Sequence, residues 1–303
     1  MNKLFCFGYG YTCDYLGHML ELSGGWDLAG TTRDLGKKRL LHERGIDAHI
    51  FDYSRPLGDP FFILKDTTHV LISTPPGDDG DPAFLMHCED ILRIPTIKWV
   101  GYLSTTSVYG DRAGGWVDET SELRPSSKRG SRRAKAEEQW MSLFNSHKLP
   151  VHIFRLAGIY GPGRSALDSV RAGIAKRLEK PGHVFGRIHV EDIASVLFAS
   201  MKKPAPGSRY NVCDDMPAPS HEVIAYACEL LNVDIPPLIP IDEANLAPIA
   251  RSFYSDNRRT SNRKIKEKLG IEIKYPDYRA GLTACLEAET SALRALQQAE
   301  NAG

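Results

Sequence analysis

The chain has 303 residues and carries 38 Lys+Arg against 38 Asp+Glu, so its net charge is zero. That balance argues against a general nucleic-acid or membrane-surface binder, and the length is enough to bury a sizeable core in one large or two modest domains. Six scattered cysteines without a Cys-x-x-Cys pair, ten histidines without ligand spacing, and the absence of a bilayer-length apolar run predict a reduced cytoplasmic protein with no metal site.

The apolar run Leu4, Phe5, Cys6, Phe7 reads as a buried parallel strand. Gly8 and Gly10 follow at once, and a helix-period segment then carries Tyr15, Leu16, Met19 and Leu20. Strand, glycine turn, helix is the setting in which Gly-x-Gly cradles a dinucleotide. Gly8 allows the tight turn and Gly10 lets the backbone approach a pyrophosphate, while the helix N-terminus offers free N–H groups. Cys13 stands where a third glycine is usual, and its small side chain still lets helix and strand pack.

A second strand over 26–32 ends in Thr31, Thr32 and Arg33, where an acidic residue would favour NAD through the ribose 2′-hydroxyl. A hydroxyl pair followed by a guanidinium suits a 2′-phosphate instead, so NADP is expected over NAD. Asp34 is expected to cap the next helix. Further strands are expected over 46–52, 69–76, 98–104 and 151–157, with a short one at 210–213. Alternation with helical segments predicts an α/β fold of Rossmann type, a doubly wound parallel sheet. Ligands in such sheets bind beyond the carboxyl ends of the strands, where Thr31, Asp52, Thr74 and Thr105 fall.

The basic stretch from Arg124 to Arg133 precedes a helix expected over Ala134–Trp140 and is read as a solvated face, with no nucleic-acid partner. Arg164 and Arg187 are candidate grips for the phosphate or carboxylate of a small-molecule substrate. Asp192 is expected to cap a helix start, Pro236, Pro237, Pro240 and Pro248 mark turns, and a helix is expected to close the chain over 280–298.

Several ordered motifs carry a family resemblance: Gly8-Tyr-Gly10, Ser104-Thr-Thr-Ser-Val-Tyr-Gly110, Arg155-Leu-Ala-Gly-Ile-Tyr-Gly-Pro-Gly163, Arg187-Ile-His-Val-Glu-Asp192 and Tyr210-Asn-Val212. With Ser261-Asn-Arg-Lys-Ile265 and Tyr275-Pro-Asp-Tyr-Arg-Ala-Gly-Leu282, they cover nearly the whole chain. The sequence resembles the extended short-chain dehydrogenase/reductases, the NAD(P)-dependent epimerase/dehydratase group, and in particular an atypical bacterial branch. The resemblance implies a dinucleotide-binding domain over 1–163 plus about 187–215, and a smaller substrate-binding region over 164–186 and 216–303.

It also implies roles. Gly8, Gly10, Tyr11 and Thr12 hold the pyrophosphate; Thr32 and Arg33 sit by the adenosine ribose; Asp52 contacts the adenine; Thr74 and Pro75 line the middle of the cofactor. Thr105 takes the place of the catalytic Ser/Thr, and Lys135 that of the lysine that binds the nicotinamide ribose. An oxidoreductase or epimerase acting on a polar substrate such as a nucleotide sugar follows, with a homodimer as the assembly common in the family. The departure is at the family's Tyr-x-x-x-Lys, since counting back four from Lys135 reaches Ser131. A serine cannot replace a lysine-assisted phenol as general acid/base. Either Tyr109 or Tyr160 reaches the substrate, or Lys135 itself acts, or hydride chemistry is lost and an NADP(H)- or metabolite-sensing protein remains.

Overall fold

Side chains of the first strand, β1 (Asn2–Phe7), alternate between two cores, as the two-residue strand period requires. Leu4 and Cys6 join one apolar cluster, Phe5 and Phe7 the other. Burial on both faces makes β1 a central strand. The computed structural model describes residues 1–247, 251 and 253–301; Pro248 lies outside them. Seven parallel strands form the main sheet in the order β11-β7-β5-β4-β1-β2-β3. These are β2 (Trp26–Thr32), β3 (Asp47–Ile50), β4 (His69–Ile72), β5 (Trp99–Thr105), β7 (Val151–Leu156) and β11 (Arg209–Val212). The chain order reverses between β1 and β4, which opens a crevice at their carboxyl ends.

Helices α1 (Tyr11–Ser23) and α7 (Val190–Lys202) cover one face, with Leu16, Leu20, Ile193 and Leu197 in its core. Helices α4 (Pro82–Leu92) and α5 (Lys128–His147) cover the other through Ile91, Trp140 and Met141. The remaining early helices, α2 (Leu35–Glu43) and α3 (Pro60–Ile63), fill the connections around β3. A third cluster joins Tyr160, Leu167, Val223, Ala227, Tyr278 and Leu282. It ties α6 (Ala166–Arg171) and α8 (Ser220–Leu231) to the closing helix Tyr278–Asn301. Three two-stranded parallel pairs lie outside the main sheet. They pair β10 (Arg187–His189) with β8 (Gly158–Tyr160), β12 (Leu238–Pro240) with β9 (Arg177–Glu179), and β13 (Arg259–Thr260) with β6 (Trp116–Val117).

Two local expectations are corrected. Helix α5 starts at Lys128, not Ala134, because the Ser127 side chain caps it by accepting from the Gly130 N–H. Asp192 does not cap α7, a place held by His189. Its carboxylate instead accepts from the backbone N–H groups of Lys274 and Tyr275 at 2.8 and 3.1 Å, anchoring the segment that leads into the closing helix.

Candidate functional site

The glycine turn sits at the sheet's crevice. Gly8 has φ +86°, a conformation that favours glycine, and a Cβ there would lie 3.1 Å from the Thr74 methyl. Its N–H donates to the Thr31 hydroxyl at 2.8 Å, and the Tyr9 N–H donates to the Thr31 carbonyl at 2.7 Å, so β2 clamps the turn. Gly10 is the N-cap of α1 and has no side chain to satisfy the first-turn N–H groups beginning at Tyr11 and Thr12. That uncapped end of a 13-residue helix, bare of side chains at Gly10, is a place for an anion. Across the crevice the Thr74 hydroxyl is buried with no hydrogen-bond partner among the described residues, and Pro75 is exposed beside it.

Cys13 is fully buried and its thiol donates to the Gly8 carbonyl at 3.4 Å. Gly17 and Gly30 allow the close packing instead, since the Tyr9 ring fills the space beneath α1 that their Cβ atoms would need.

At the β2 end, Asp34 caps α2 as expected, accepting from the Lys37 N–H at 2.6 Å, and the Thr32 hydroxyl accepts from the Asp34 N–H at 3.3 Å. The Arg33 side chain is exposed and meets no carboxylate among the described residues. Asp52 is already engaged: it accepts from the Ser54 N–H and hydroxyl at 2.9 and 2.7 Å and from Arg55 Nε at 2.8 Å. Arg55, and then Ser54, hold its carboxyl well below the usual range. Arg55 also donates to the Arg33 carbonyl at 3.1 Å and is a residue the sequence reading passed over.

At the β5 end, the Thr105 hydroxyl is half-buried, lies 3.1 Å from the Ser107 hydroxyl and accepts the Ser107 N–H. Tyr109 does not reach toward a substrate. It is fully buried, donating to Asn211 Oδ1 at 2.7 Å and accepting from Arg155 Nη1 at 2.8 Å, and burial pushes its phenol up to about 12. Tyr160 is buried too, with its hydroxyl directed at the Asp277 carbonyl, 3.3 Å away. Every tyrosine here with a shifted pKa is shifted upward, first by burial, including Tyr11 beside the glycine turn.

The largest correction concerns α5. Lys135 is exposed and makes no ion pair among the described residues, and Ser131 is exposed with its hydroxyl on the Ser127 carbonyl. The cation that reaches the end of β5 is Arg133, whose Nη1 donates to the Leu103 carbonyl at 2.6 Å, the Tyr102 hydroxyl at 3.1 Å and the Thr74 carbonyl at 3.4 Å. Counting back four residues from Arg133 reaches Arg129, not a tyrosine. Helix phase is the signal that could have found this. Ala134, Trp140 and Met141 define the inward face, and Arg133 lies two turns before Trp140 on that face.

Arg164, Arg187, Tyr160, Ser165, Ser220 and Tyr278 line a cavity of about 280 Å³ between β8, α6 and α8. Arg187 is half-buried there and gives two 2.9 Å hydrogen bonds to the carbonyls of Phe185 and Ala218. Beside it Asp214 is 3% exposed, with neither carboxylate oxygen well hydrogen-bonded among the described residues. Burial pushes the Asp214 carboxyl up to about 8, against the pull of Arg187. Among the described residues no group of His, Cys, Asp and Glu is arranged to hold a metal ion, and no helix is long and apolar enough to cross a membrane.

This sheet order and glycine turn are those of the fold shared by the extended short-chain dehydrogenase/reductases, and the motif series matches theirs. Residues 90–213 match the family described as NAD dependent epimerase/dehydratase. A functionally unknown conserved protein from Silicibacter pomeroyi DSS is 47% identical, covers 95% of this chain and 99% of its own, and superposes with a TM-score of 0.88. Protein YeeZ of Escherichia coli strain K12 is 28% identical over 298 residues, 91% of this chain and 97% of that protein. UDP-glucuronic acid 4-epimerase from Bacillus cereus, solved in complex with NAD, shares the fold: 16% identity, 94% of both chains, TM-score 0.76.

Proposed function

We propose that this protein binds a pyridine dinucleotide across the β1/β4 crevice and holds a small polar ligand beside it without a phenol proton relay. The observation that carries the reading is the uncapped α1 N-terminus beside Gly8 and Thr74, a cradle that a Cβ at Gly8 would crowd. The residues present fit the cofactor: amides of Tyr11 and Thr12 for the diphosphate, the free Thr74 hydroxyl for its middle, and unpaired Arg33 for a 2′-phosphate. When bound, a pyridine dinucleotide supplies a hydride donor or acceptor. The chain's own part is to orient that ring and to grip the second ligand. Arg164 and Arg187 line the neighbouring cavity, in the region we assign to substrate. The fold neighbour binds NAD, and NADP here rests on Arg33.

No phenol stands near Arg133 with a lowered pKa to take or give a proton, which favours binding or sensing over turnover. The test is calorimetric titration with NADPH and NADH. We expect both to bind, and Arg33→Ala to weaken NADPH by about tenfold or more with NADH little changed, the range of a lost charge-assisted hydrogen bond. Equal weakening would remove the NADP preference, and no binding of either would remove the whole reading.

A second reading, an oxidoreductase or epimerase, is favoured by the Thr105 hydroxyl at the end of β5, linked to Ser107. Turnover of NADPH against ketones or nucleotide sugars, lost in Thr105→Val, would establish it.

A further inference from the structure

The basic run that opens α5 divides by helix phase into two pairs four residues apart. Lys128 and Arg132 both pair with Asp78, Lys128 at 2.7 Å, and share its single negative charge. Arg129 and Arg133 occupy the adjacent face. Arg133 donates only to two carbonyls and a phenol, and the Arg129 guanidinium lies 6.0 Å from the centre of the Phe253 ring. A third guanidinium approaches from the turn after β8: Arg164 stands 5.7 Å from the centre of the Tyr11 ring, and the Tyr11 hydroxyl holds the same turn by donating to the Pro162 carbonyl at 3.0 Å. None of the three meets a carboxylate among the described residues.

Their surroundings converge. Arg133 touches Thr74, Thr74 touches Gly8, and three residues past Gly8 the uncapped helix begins at Tyr11, under Arg164. Partial desolvation first, and then the charges of Arg133 and Arg164, hold Arg129 below its ordinary pKa, so the three share one field. No carboxylate among the described residues comes within ion-pair distance of the three, although the buried Asp81 carboxyl feels the charge of Arg133, so the cations repel one another in a chain whose net charge is zero. Planar guanidiniums with spare N–H donors fit phosphate oxygens, and Arg129 stays open to solvent.

We propose that Arg129, Arg133 and Arg164 form a receptor for a phosphate or diphosphate group of a second ligand, seated where a tyrosine–lysine pair would otherwise stand. The inference deepens the reading above by naming the ligand's charged group, but it rests on arginines and not on the glycine turn. The two therefore fail separately. Phosphate oxygens could come from the dinucleotide itself or from the second ligand. The amides of α1 already serve the dinucleotide, which points to the second ligand.

The experiment is calorimetry with inorganic pyrophosphate on the full chain, with and without saturating NADPH. We expect pyrophosphate to bind the NADPH-loaded protein, and R129Q, R133Q and R164Q each to weaken it by about tenfold or more. K128Q and R132Q, whose side chains are held on Asp78 on the neighbouring helix face, should change it by no more than about twofold. Arg133→Lys keeps a charge if Arg133→Gln fails to fold, and should lose less affinity than R129Q. If NADPH fails to bind but pyrophosphate still follows this pattern, the arginine receptor stands and the dinucleotide reading falls. Absence of pyrophosphate binding, equal loss in R132Q, or displacement of pyrophosphate by NADPH would overturn the proposal.

Discussion

Arg133 owes its position to a buried pair one turn further along α5. Glu137 and Arg155 are each 2% exposed and meet through several contacts, Nη2 to Oε2 at 2.7 Å, with Ser104 donating to the same carboxylate. That pair fixes the rotation of α5 against β5 and β7, and the rotation turns Arg133 inward and Lys135 outward. The family motif has a lysine and so points to Lys135, whereas the inward-facing cation is the guanidinium two residues earlier. A buried glutamate matched to a strand arginine is invisible until the two are neighbours in space. Asp214 carries a pH dependence. With its carboxyl at about 8, against an ordinary 3.8, the folded chain keeps a proton that the unfolded chain has released, so stability falls as pH rises across that window. His69, His152 and His189, held at about 4 by burial, act in reverse and lose stability as pH drops below 6.5. The unfolded histidines, half-protonated at pH 6.5, have released nearly all their protons by about pH 7.5, so above it Asp214 dominates among these four groups. We therefore expect the melting temperature to decline from about pH 7.5 to 8.5, and Asp214→Asn to flatten the decline in thermal scans.

Among the elements, α1 is held close to the sheet by what is missing from it. A Cβ at Gly17 would stand 2.2 Å from the Tyr9 hydroxyl, which is itself buried without a hydrogen-bond partner among the described residues. Gly17→Ala should cost about 1–3 kcal/mol, the usual penalty of overpacking. Tyr9→Phe clears the obstructing oxygen and should restore part of that loss, a coupling readable by a double-mutant cycle in urea. Equal costs of Gly17→Ala in both backgrounds would refute this geometry. Strands and most helices were legible from the sequence because burial on both faces and helix periodicity leave plain patterns, as in β1 and α1. The start of α5 was not, since six polar or small residues hide a helix whose only local sign is Ser127 as cap.

At the scale of the molecule, the alternating pattern and the glycine turn disclosed the parallel sheet and the place of its crevice. The cavity beside Arg187 could not be read ahead, since its walls come from β8, β10, α6, α8 and the closing helix, which are far apart in sequence. The loop after β5 is stitched to the segment before the Arg263–Leu269 helix: Arg112 and Gly114 N–H groups donate to the Asn257 carbonyl at 2.9 Å, and β6 pairs with β13. A rim knitted in this way is ordered before any guest arrives, so association need not freeze it and forfeits little chain entropy there. Deuterium uptake at Arg112, Gly114 and Arg259 should be slow in the free protein and unaltered by NADPH, leaving shape selection to a doorway that is rigid from the outset.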